Sequence, residues 1–287
     1  MILCADDYGI SPAVSTGILE LVKEKRLSAV SCMMLGPHVD ESMRRINGIG
    51  NGIDLGLHLV MTDDRPLTPL QPESGLVDAH GKLVPFSKLS LRAYRRAIDF
   101  GCVLREIEEQ IRRFETLAGR PPDFIDGHQH VQQLPVIRKA LATALRSLIQ
   151  RHQNIYVRVA RLPMRWLWTK GLRHSWKFFV GNHLVSLPGG STALLMNETG
   201  IPSNRFLLGF CDYEKEARFE AVFQRYLTLK PGPRDIFFCH PGYVDEALRR
   251  RDSVTGSRIN VLEFLRSSRC QTIMEESGVG LNTFYGA

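Results

Sequence analysis

Long apolar runs, a charged leader and low-complexity segments are all missing from this sequence. No apolar run approaches the roughly 20 residues that a membrane-spanning helix needs. No charged leader precedes the first strand-like segment, which begins at Ile2 and leaves no room for a signal peptide. We therefore expect a cytoplasmic protein without a membrane span.

Closely spaced cysteines are also missing. The six cysteines are scattered, show no CxxC spacing, and mostly lie in apolar stretches such as FFCH and SCMML. Isolated cysteines in such surroundings are typical of reduced, buried thiols. The sequence therefore does not indicate a disulfide framework.

The charge balance is basic, with a formal net charge of +7 over 287 residues. This balance would suit nucleic acid, anionic lipid or acidic substrates, but no motif of a DNA- or RNA-binding protein accompanies it. We expect no nucleic-acid partner. The chain also has no internal repeat or linker-like segment, which favours one domain over residues 1–287.

Strand-like segments alternate with helix-like ones along most of the chain. The segment ILCA (2–5) precedes a helical pattern over 11–25, in which Ser11 is a candidate N-cap followed by proline. Further strands are predicted at 27–35, 53–60, 123–130, 155–160 and 235–240, and further helices at 38–46, 101–118, 134–152, 214–229 and from about Asn260, with an irregular stretch over 65–90. This alternation predicts a single-domain α/β fold with parallel strands, either open or closed into a (β/α) barrel.

Several of these strands end in aspartate or histidine. The endings are ILCADD, GLHL, DFIDGHQH and IFFCH. Because the carboxyl ends of parallel strands meet at one face of the fold, we expect these side chains to share one site.

Each of these residues alone has a purely structural explanation. Asp6 and Asp7 would repel each other if buried, so they either lie in a solvated turn that caps a helix or hold a cation. A single histidine in an apolar run, such as His58, is more often a buried ring with both nitrogens paired. His240 precedes a Pro-Gly turn and could cap the strand.

The pair His128 and His130 has an i, i+2 spacing. On a strand this spacing would place both rings on the same face as Asp126. A cross-strand polar ladder explains the same spacing, so the pattern alone does not assign a function.

Taken together, the strand-end residues favour a metal site. One carboxylate with two imidazoles is a common ligand set for Zn²⁺, Ni²⁺, Co²⁺ or Mn²⁺, and three ligands leave positions open for water and substrate. A second carboxylate next to the ligand could act as a general base, and a histidine from a fourth strand could act as an acid.

Four motifs in this order resemble a known family, the YdjC-like carbohydrate deacetylases, also called the ChbG/HpnK family. The motifs are ADDYGISPAVSTGILE, LGLHLVMTDDRPL, DGHQHVQQLP and CHPGYVD, and they extend over almost the whole chain. The resemblance implies a barrel-like fold, often a homodimer, that removes an acetyl group from an N-acetylated sugar with the help of a divalent metal, Mg²⁺ included.

The resemblance also implies roles for individual residues. Asp7, His58 and His128 match the metal ligands, with His130 as the alternative to His128. Asp6 matches the general base, and His240 matches the histidine that protonates the leaving amine.

Two further positions bear on this resemblance. Arg158 fits an arginine that orients the base, with Arg161 as its rival. The family pattern HVH is His130-Val131-Gln132 in this chain, so the role of the later histidine is absent or taken by an amide.

The three tryptophans all fall between residues 166 and 176, among basic residues. We interpret the surrounding segment, about 161–205, as an insertion that packs its aromatic rings on the barrel or at a dimer interface. The other interpretation is a platform for sugar rings or a patch that contacts anionic membrane lipid. The resemblance implies either a chitooligosaccharide substrate or an amino-sugar glycolipid such as a hopanoid conjugate, and the aromatic segment mildly favours the amphiphilic one.

Two other classes of protein remain open. An ADD sequence after a strand also occurs in receiver domains, where an acidic cluster binds Mg²⁺ and accepts a phosphoryl group. The chain is too long for one receiver domain, and such a site does not use three strand-end histidines. A non-catalytic sugar-binding relative is the second alternative.

Overall fold

A seven-stranded parallel sheet forms the centre of this computed structural model, which describes residues 1–49, 52–152, 154–162, 188–211 and 219–286. The strand order is β5-β4-β3-β2-β1-β7-β6, and every neighbouring pair is parallel. The strands are β1 (Ile2–Tyr8), β2 (Ala29–Met33), β3 (Asp54–Leu59), β4 (Phe124–Gly127), β5 (Tyr156–Val157), β6 (Leu207–Leu208) and β7 (Ile236–Cys239).

Helices follow most of these strands and cover the sheet. The first five are α1 (Pro12–Lys23), α2 (Val39–Asn47), α3 (Phe86–Tyr94), α4 (Phe100–Ala118) and α5 (Pro135–Arg151). Residues 188–198 are also helical, and the remaining helices are Phe219–Leu227, Glu246–Arg249, Gly256–Arg266 and Ser268–Glu276. Of the predicted helix over 214–229, residues 214–218 lie outside the described residues. No helix within the described ranges is both long enough and apolar enough to span a bilayer.

Local sequence signals account for the helix ends nearest the site. Ser11 accepts a hydrogen bond from the backbone N–H of Val14, and Pro12 occupies the first helical position of α1, as a helix start requires. Asp99 caps α4 in the same way, and Gly119 ends it at a φ of 69°, a left-handed conformation that glycine adopts without strain. The predictions for these two helices are confirmed.

The sheet curls until its two edges are joined by hydrogen bonds. Val157 and Ser203 form a parallel bridge, and the side chain of Asn204 bonds both the N–H and the C=O of Val159, at 2.7 and 3.0 Å. Beyond it, the N–H of Leu207 donates to the carbonyl of Arg161. The prediction of a barrel-like α/β fold with parallel strands is confirmed.

The predicted strand over 123–130 is wrong at its carboxyl end. β4 stops at Gly127, and His128–Gln133 forms 3₁₀ turns in which Gln129 and His130 have φ values of 54° and 57°. The turns fold back so closely that a Cβ on Gly127 would lie 2.6 Å from the side-chain oxygen of Gln132. The argument that Asp126, His128 and His130 share a strand face therefore fails.

Three other predictions need comment. The stretch 65–90 was expected to be irregular, but α3 begins inside it at Phe86. The last helix is two helices separated at Ser267, which caps the second of them. Most of the predicted insertion at 161–205, including the three tryptophans, lies outside the described residues. All six cysteines are free, and four of them are buried.

Candidate metal centre and active site

The carboxyl ends of four strands bring the predicted polar residues together. Asp6 and Asp7 lie near the end of β1, His58 near the end of β3, and His240 directly after β7. His128 follows β4 as the first residue of the 3₁₀ turns.

The backbone at Asp7 explains why two adjacent aspartates face one site. In a regular strand, neighbouring side chains point to opposite faces of the sheet. Asp7 has a φ of 66°, and the pairing of β1 with β2 shifts register between Ala5 and Tyr8. A residue other than glycine is strained in the left-handed backbone conformation, and such residues are common at functional sites. At this position the left-handed backbone lets the buried carboxylates of both Asp6 and Asp7 face the same site.

Asp7 has different partners on its two carboxylate oxygens. Its Oδ1 lies 3.3 Å from Nε2 of His58 and 3.2 Å from Nδ1 of His128, while its Oδ2 accepts a 2.6 Å hydrogen bond from Arg258. Burial would raise the pKa of Asp7, but Arg258 and the two histidines lower it well below its ordinary value. Asp7 is therefore an anion that turns one oxygen toward two imidazoles.

Asp6 forms a bidentate ion pair with Arg158. The two guanidinium nitrogens lie 2.6 Å from the two carboxylate oxygens, and both side chains are buried. The same guanidinium also lies 2.6 Å from Asp126. Burial would lower the pKa of Arg158, but Asp126 and Asp6 raise it above its ordinary value. Arg161, the predicted rival, instead places its guanidinium 5.4 Å from the ring centre of Phe206.

His58 is oriented by a carboxylate behind it. Its Nδ1 lies 2.7 Å from Oδ1 of Asp126, which also accepts a 2.6 Å hydrogen bond from the Ser31 hydroxyl. Burial would lower the pKa of His58, but Asp126 and Asp7 raise it to about 10. Because a carboxylate only accepts hydrogen bonds, Nδ1 of His58 carries a proton and Nε2 is the nitrogen turned toward Asp7.

The other two histidines lie in different surroundings. His240 is partly exposed, with Nε2 3.9 Å from Oδ2 of Asp7, and burial lowers its pKa although Asp7 opposes the shift. His130 instead packs against Phe210 and Phe238, at ring-centre distances of 5.5 and 5.6 Å. Burial lowers the pKa of His130 to about 3. Of the two alternatives in the sequence, the structure brings His128 to Asp7, and not His130.

The donor atoms of Asp7, His58 and His128 suit a divalent cation. They lie within 4.8 Å of one another. Two ligands at about 2.0–2.1 Å from a tetrahedral zinc are ~3.3 Å apart, which agrees with the 3.2 and 3.3 Å separations from Asp7. With its raised pKa, His58 turns an Nε2 proton toward Oδ1 of Asp7 in the metal-free protein, and a bound cation would take the place of that proton.

In a second acidic group, the donor atoms of Asp6, His58 and Asp126 also lie within 4.8 Å of one another. In that group the guanidinium of Arg158 already pairs with both carboxylates. Of these two groups in the described part of the chain, the Asp7 group is the one whose donors have no arginine between them.

The charges of the cluster, all buried except the partly exposed Asp252, support the same conclusion. Its carboxylates are Asp6, Asp7, Asp126 and Asp252, and its guanidinium groups are those of Arg158 and Arg258. Because its pKa is raised to about 10, His58 adds a third positive charge, so the metal-free cluster has a net charge of −1. Coordination requires Nε2 of His58 without its proton, which would leave a net charge of −2. Buried charge is stable only when it is compensated, and one divalent cation would compensate it.

Three residues of this cluster were not predicted as functional. Arg258 and Asp252 lie far along the chain, outside any strand-end motif, and Ser31 is one serine inside β2. Asp126 was noticed only for its spacing from His128. A buried arginine in a helix gives no local signal of its partner, so sequence reasoning had no means of finding Arg258.

The fold and the cluster define a barrel-like α/β protein with an acid–histidine site at the carboxyl ends of its strands. The chain belongs to the YdjC-like protein family, whose model matches residues 1–276.

Relatives with assigned names match nearly the whole chain. A chitooligosaccharide deacetylase of Yersinia pestis (strain Pestoides F) is 31% identical over 285 residues, covering 99% of this chain and 97% of that protein. The chitooligosaccharide deacetylase of Yersinia pseudotuberculosis serotype O:1b has the same values.

A solved structure from Enterococcus faecalis V583, provisionally described as a cellobiose-phosphate cleavage protein, has the same fold. It is 22% identical, has a TM-score of 0.74, and is matched over 99% of this chain and 97% of that one.

Proposed function

We propose that this protein is a metal-dependent hydrolase that removes the acetyl group from an N-acetylated sugar. The observation that carries the proposal is the Asp6–Arg158 ion pair beside the Asp7, His58 and His128 donors. This arrangement separates the two adjacent aspartates into a candidate base and a candidate ligand. The names of the Yersinia relatives support acetylated amino sugars as the substrate class.

Asp7, His58 and His128 would hold the metal. One carboxylate oxygen with two imidazole nitrogens suits Zn²⁺, Ni²⁺, Co²⁺ or Mn²⁺ better than Mg²⁺, which prefers oxygen ligands. When bound, such a cation polarises a carbonyl group and lowers the pKa of a water molecule. The hydrogen bond from His58 to Asp126 fixes the nitrogen that faces the cation.

Asp6 would act as the general base. Its two hydrogen bonds from Arg158 hold the carboxylate in one orientation next to the metal ligands. As water adds to the acetamide carbonyl carbon, Asp6 accepts a proton from that water. Arg158 is a positioning residue in this scheme, because its guanidinium is fully buried and pairs with Asp6 and Asp126.

His240 would act as the general acid. Its ring is partly exposed at the site and lies 3.9 Å from Asp7. When the carbon–nitrogen bond breaks, the protonated form of His240, which Asp7 favours against the effect of burial, gives its proton to the amine nitrogen, and the products are acetate and a free amino sugar. Without this proton an amine anion would have to leave, which is unfavourable in water.

The finer identity of the sugar is also part of the proposal. The relatives favour a chitooligosaccharide, and an amino-sugar glycolipid such as a hopanoid conjugate is the alternative. Acetate release from N-acetylglucosamine oligomers, measured alongside the metal content of the same preparation, tests both function and cofactor.

We expect about one transition metal per chain and acetate release that chelation abolishes and added metal restores. The Asp6→Asn variant is the matched control, because it should retain metal and release no acetate. Sugar binding without acetate release from any N-acetylated sugar or glycolipid would instead indicate a non-catalytic binding protein. Activity that survives complete metal removal would overturn the metal dependence.

A further inference from the structure

Exposed apolar side chains are concentrated on one short segment beside the site. Among the described residues, seven large hydrophobic side chains are exposed, and four of them lie between residues 86 and 100. They are Phe86, Leu91, Tyr94 and Phe100, and Tyr94 is 58% exposed. Single exposed hydrophobic residues are ordinary, but a cluster of them indicates a contact surface.

The same segment is strongly basic. From Lys82 to Ile98 the sequence contains five basic residues and no acidic one. Lys88, Arg95 and Arg96 are exposed, and none of the ion pairs within the described ranges involves their side chains. Their charges are therefore available to an external partner.

Helical geometry places the apolar residues of α3 together. At 3.6 residues per turn, Phe86, Tyr94 and Leu91 lie within an arc of about 140°. Lys88 and Arg95 lie about 40–60° beyond Leu91. The buried residues Leu89 and Ala93 lie about 160° from Leu91 and face the protein, and Phe86 lies beside Ala93 at the border of the exposed side. The outer side of the helix therefore has Leu91 at its centre, with Tyr94 to one side of it and the basic residues to the other.

The location of α3 connects this surface to the candidate active site. α3 packs against α5 and against the 3₁₀ turns His128–Gln133. These turns follow the carboxyl end of β4 and contain His128, a candidate metal ligand. The α3 surface therefore lies at the same end of the sheet as the site.

We propose that the outer face of α3, formed by Phe86, Leu91, Tyr94 and the flanking Lys88, Arg95 and Arg96, docks on an anionic lipid bilayer. Helices that lie in a membrane interface combine an apolar face with lysine and arginine at its margin. Basic residues are attracted to anionic headgroups, while the apolar side chains enter the headgroup region. Contact of this kind brings the carboxyl end of the sheet to the lipid surface.

The charge pattern favours a bilayer over other occupants. Nucleic acid would explain the basic residues but not the exposed leucine and phenylalanine side chains. In a dimer that met through this face, the like-charged basic margins of the two α3 helices would lie against each other. Any other dimer would need a different surface of the chain to cover the basic residues. An anionic bilayer accommodates both, because its headgroups attract the positive charge and the boundary with the acyl chains takes up the apolar side chains.

Co-sedimentation with vesicles tests the proposal on the full chain. Vesicles of phosphatidylcholine alone are compared with vesicles containing phosphatidylglycerol, at low and high salt. We expect binding only to the anionic vesicles, weakened by salt. Arg95→Glu with Arg96→Glu should reduce the partition coefficient by about tenfold or more, since each basic residue contributes to attraction at the surface. Leu91→Ser with Tyr94→Ser should reduce it as well.

Matched controls are available elsewhere on the chain. Leu194 is 66% exposed, so Leu194→Ser removes an exposed leucine outside α3. Arg249→Glu with Arg250→Glu reverses another exposed arginine pair. Both controls should bind anionic vesicles like the unmodified protein, and circular dichroism verifies that all variants are folded.

Three results would overturn the proposal. The first is absence of binding to anionic vesicles, and the second is an equal loss of vesicle binding in the α3 variants and the control variants. The third is an oligomer of the unmodified protein, detected by light scattering, that the Leu91 and Tyr94 substitutions disperse. The last result would assign the surface to a second copy of the chain. The vesicle measurement needs neither metal nor substrate, so its outcome is independent of the proposed deacetylation.

Discussion

Arg258 and Asp7 form a buried ion pair of 2.6 Å although 251 residues separate them in the sequence. Asp252 lies on the same guanidinium nitrogen. Arg258 therefore occupies Oδ2 of Asp7 and leaves Oδ1 facing His58 and His128. Arg258, in a helix near the carboxyl end of the chain, therefore determines which oxygen of Asp7 on β1 faces the candidate metal site.

The first prediction concerns this arginine. Arg258→Met leaves Asp7 and Asp252 without their buried counter-charge, which should destabilise the metal-free protein by about 3–5 kcal/mol. A divalent cation supplies positive charge at the same place. We therefore expect added Zn²⁺ to raise the Tm of this variant more than that of the unmodified protein.

Arg258→Lys is the control for this measurement, because it keeps the positive charge and loses only the guanidinium geometry that bonds Asp7 and Asp252 together. Its loss of stability should be smaller. Equal metal-induced Tm increases in all three proteins would contradict the electrostatic role of Arg258.

The second prediction separates the two adjacent aspartates. Asp6→Asn should abolish turnover and keep the metal, because Asp6 pairs with Arg158 and not with the histidines. Asp7→Asn should weaken metal binding itself, because it removes the charged ligand. Elemental analysis and acetate release on both variants provide the measurement, and equal metal loss in the two would show that the division of roles is wrong.

The third prediction distinguishes the histidines near the site. His58→Ala should remove the metal, because the variant loses a donor that Asp126 orients. His130→Ala is the matched control: its ring packs against Phe210 and Phe238, away from Asp7. Metal content should remain near one per chain in the control. Full metal occupancy in His58→Ala would exclude His58 as a ligand.

The fourth prediction tests His240 as the proton donor. A general acid typically contributes ~10²–10⁴-fold, so His240→Ala should slow acetate release from the amide by that order and leave metal content unchanged. An activated ester such as p-nitrophenyl acetate needs no proton on its leaving group and should be affected far less. Equal losses on the ester and the amide would instead indicate a structural or substrate-binding role.

The fifth prediction concerns stability and pH at Asp54. This buried residue accepts hydrogen bonds from the Tyr156 hydroxyl and from the N–H of Phe284, and burial raises its pKa to about 6. The unfolded value is about 3.9, so the folded protein binds more protons than the unfolded chain between these two values. Its contribution to stability is complete below about pH 4 and is lost as the pH rises through 6, by roughly 3 kcal/mol.

Urea unfolding of Asp54→Asn across this range measures the effect. The amide does not titrate, so the variant should gain stability relative to the unmodified protein as the pH rises from 4 to 7. Glu246→Gln, which changes an exposed carboxylate, is the control and should leave the pH profile unchanged. Parallel profiles for Asp54→Asn and the unmodified protein would contradict the prediction.

The sequence by itself determined the alternation of strands and helices and the polar ends of the strands. These features depend on patterns within a few residues: an apolar run, a cap such as Ser11, or a glycine at a helix end such as Gly119. Parallel strands then share one end of the sheet by geometry alone. This is why Asp6, Asp7, His58 and His240 could be assigned to one location before the fold was known.

Only the tertiary structure decided which of these residues face each other. The 3₁₀ turns after Gly127 direct His128 to Asp7 and His130 to an aromatic pocket, although on a strand the two would share a face. Arg258 reaches Asp7 only because the chain folds back over the sheet. Contacts of this kind follow from long-range packing and charge compensation, which no local sequence pattern records.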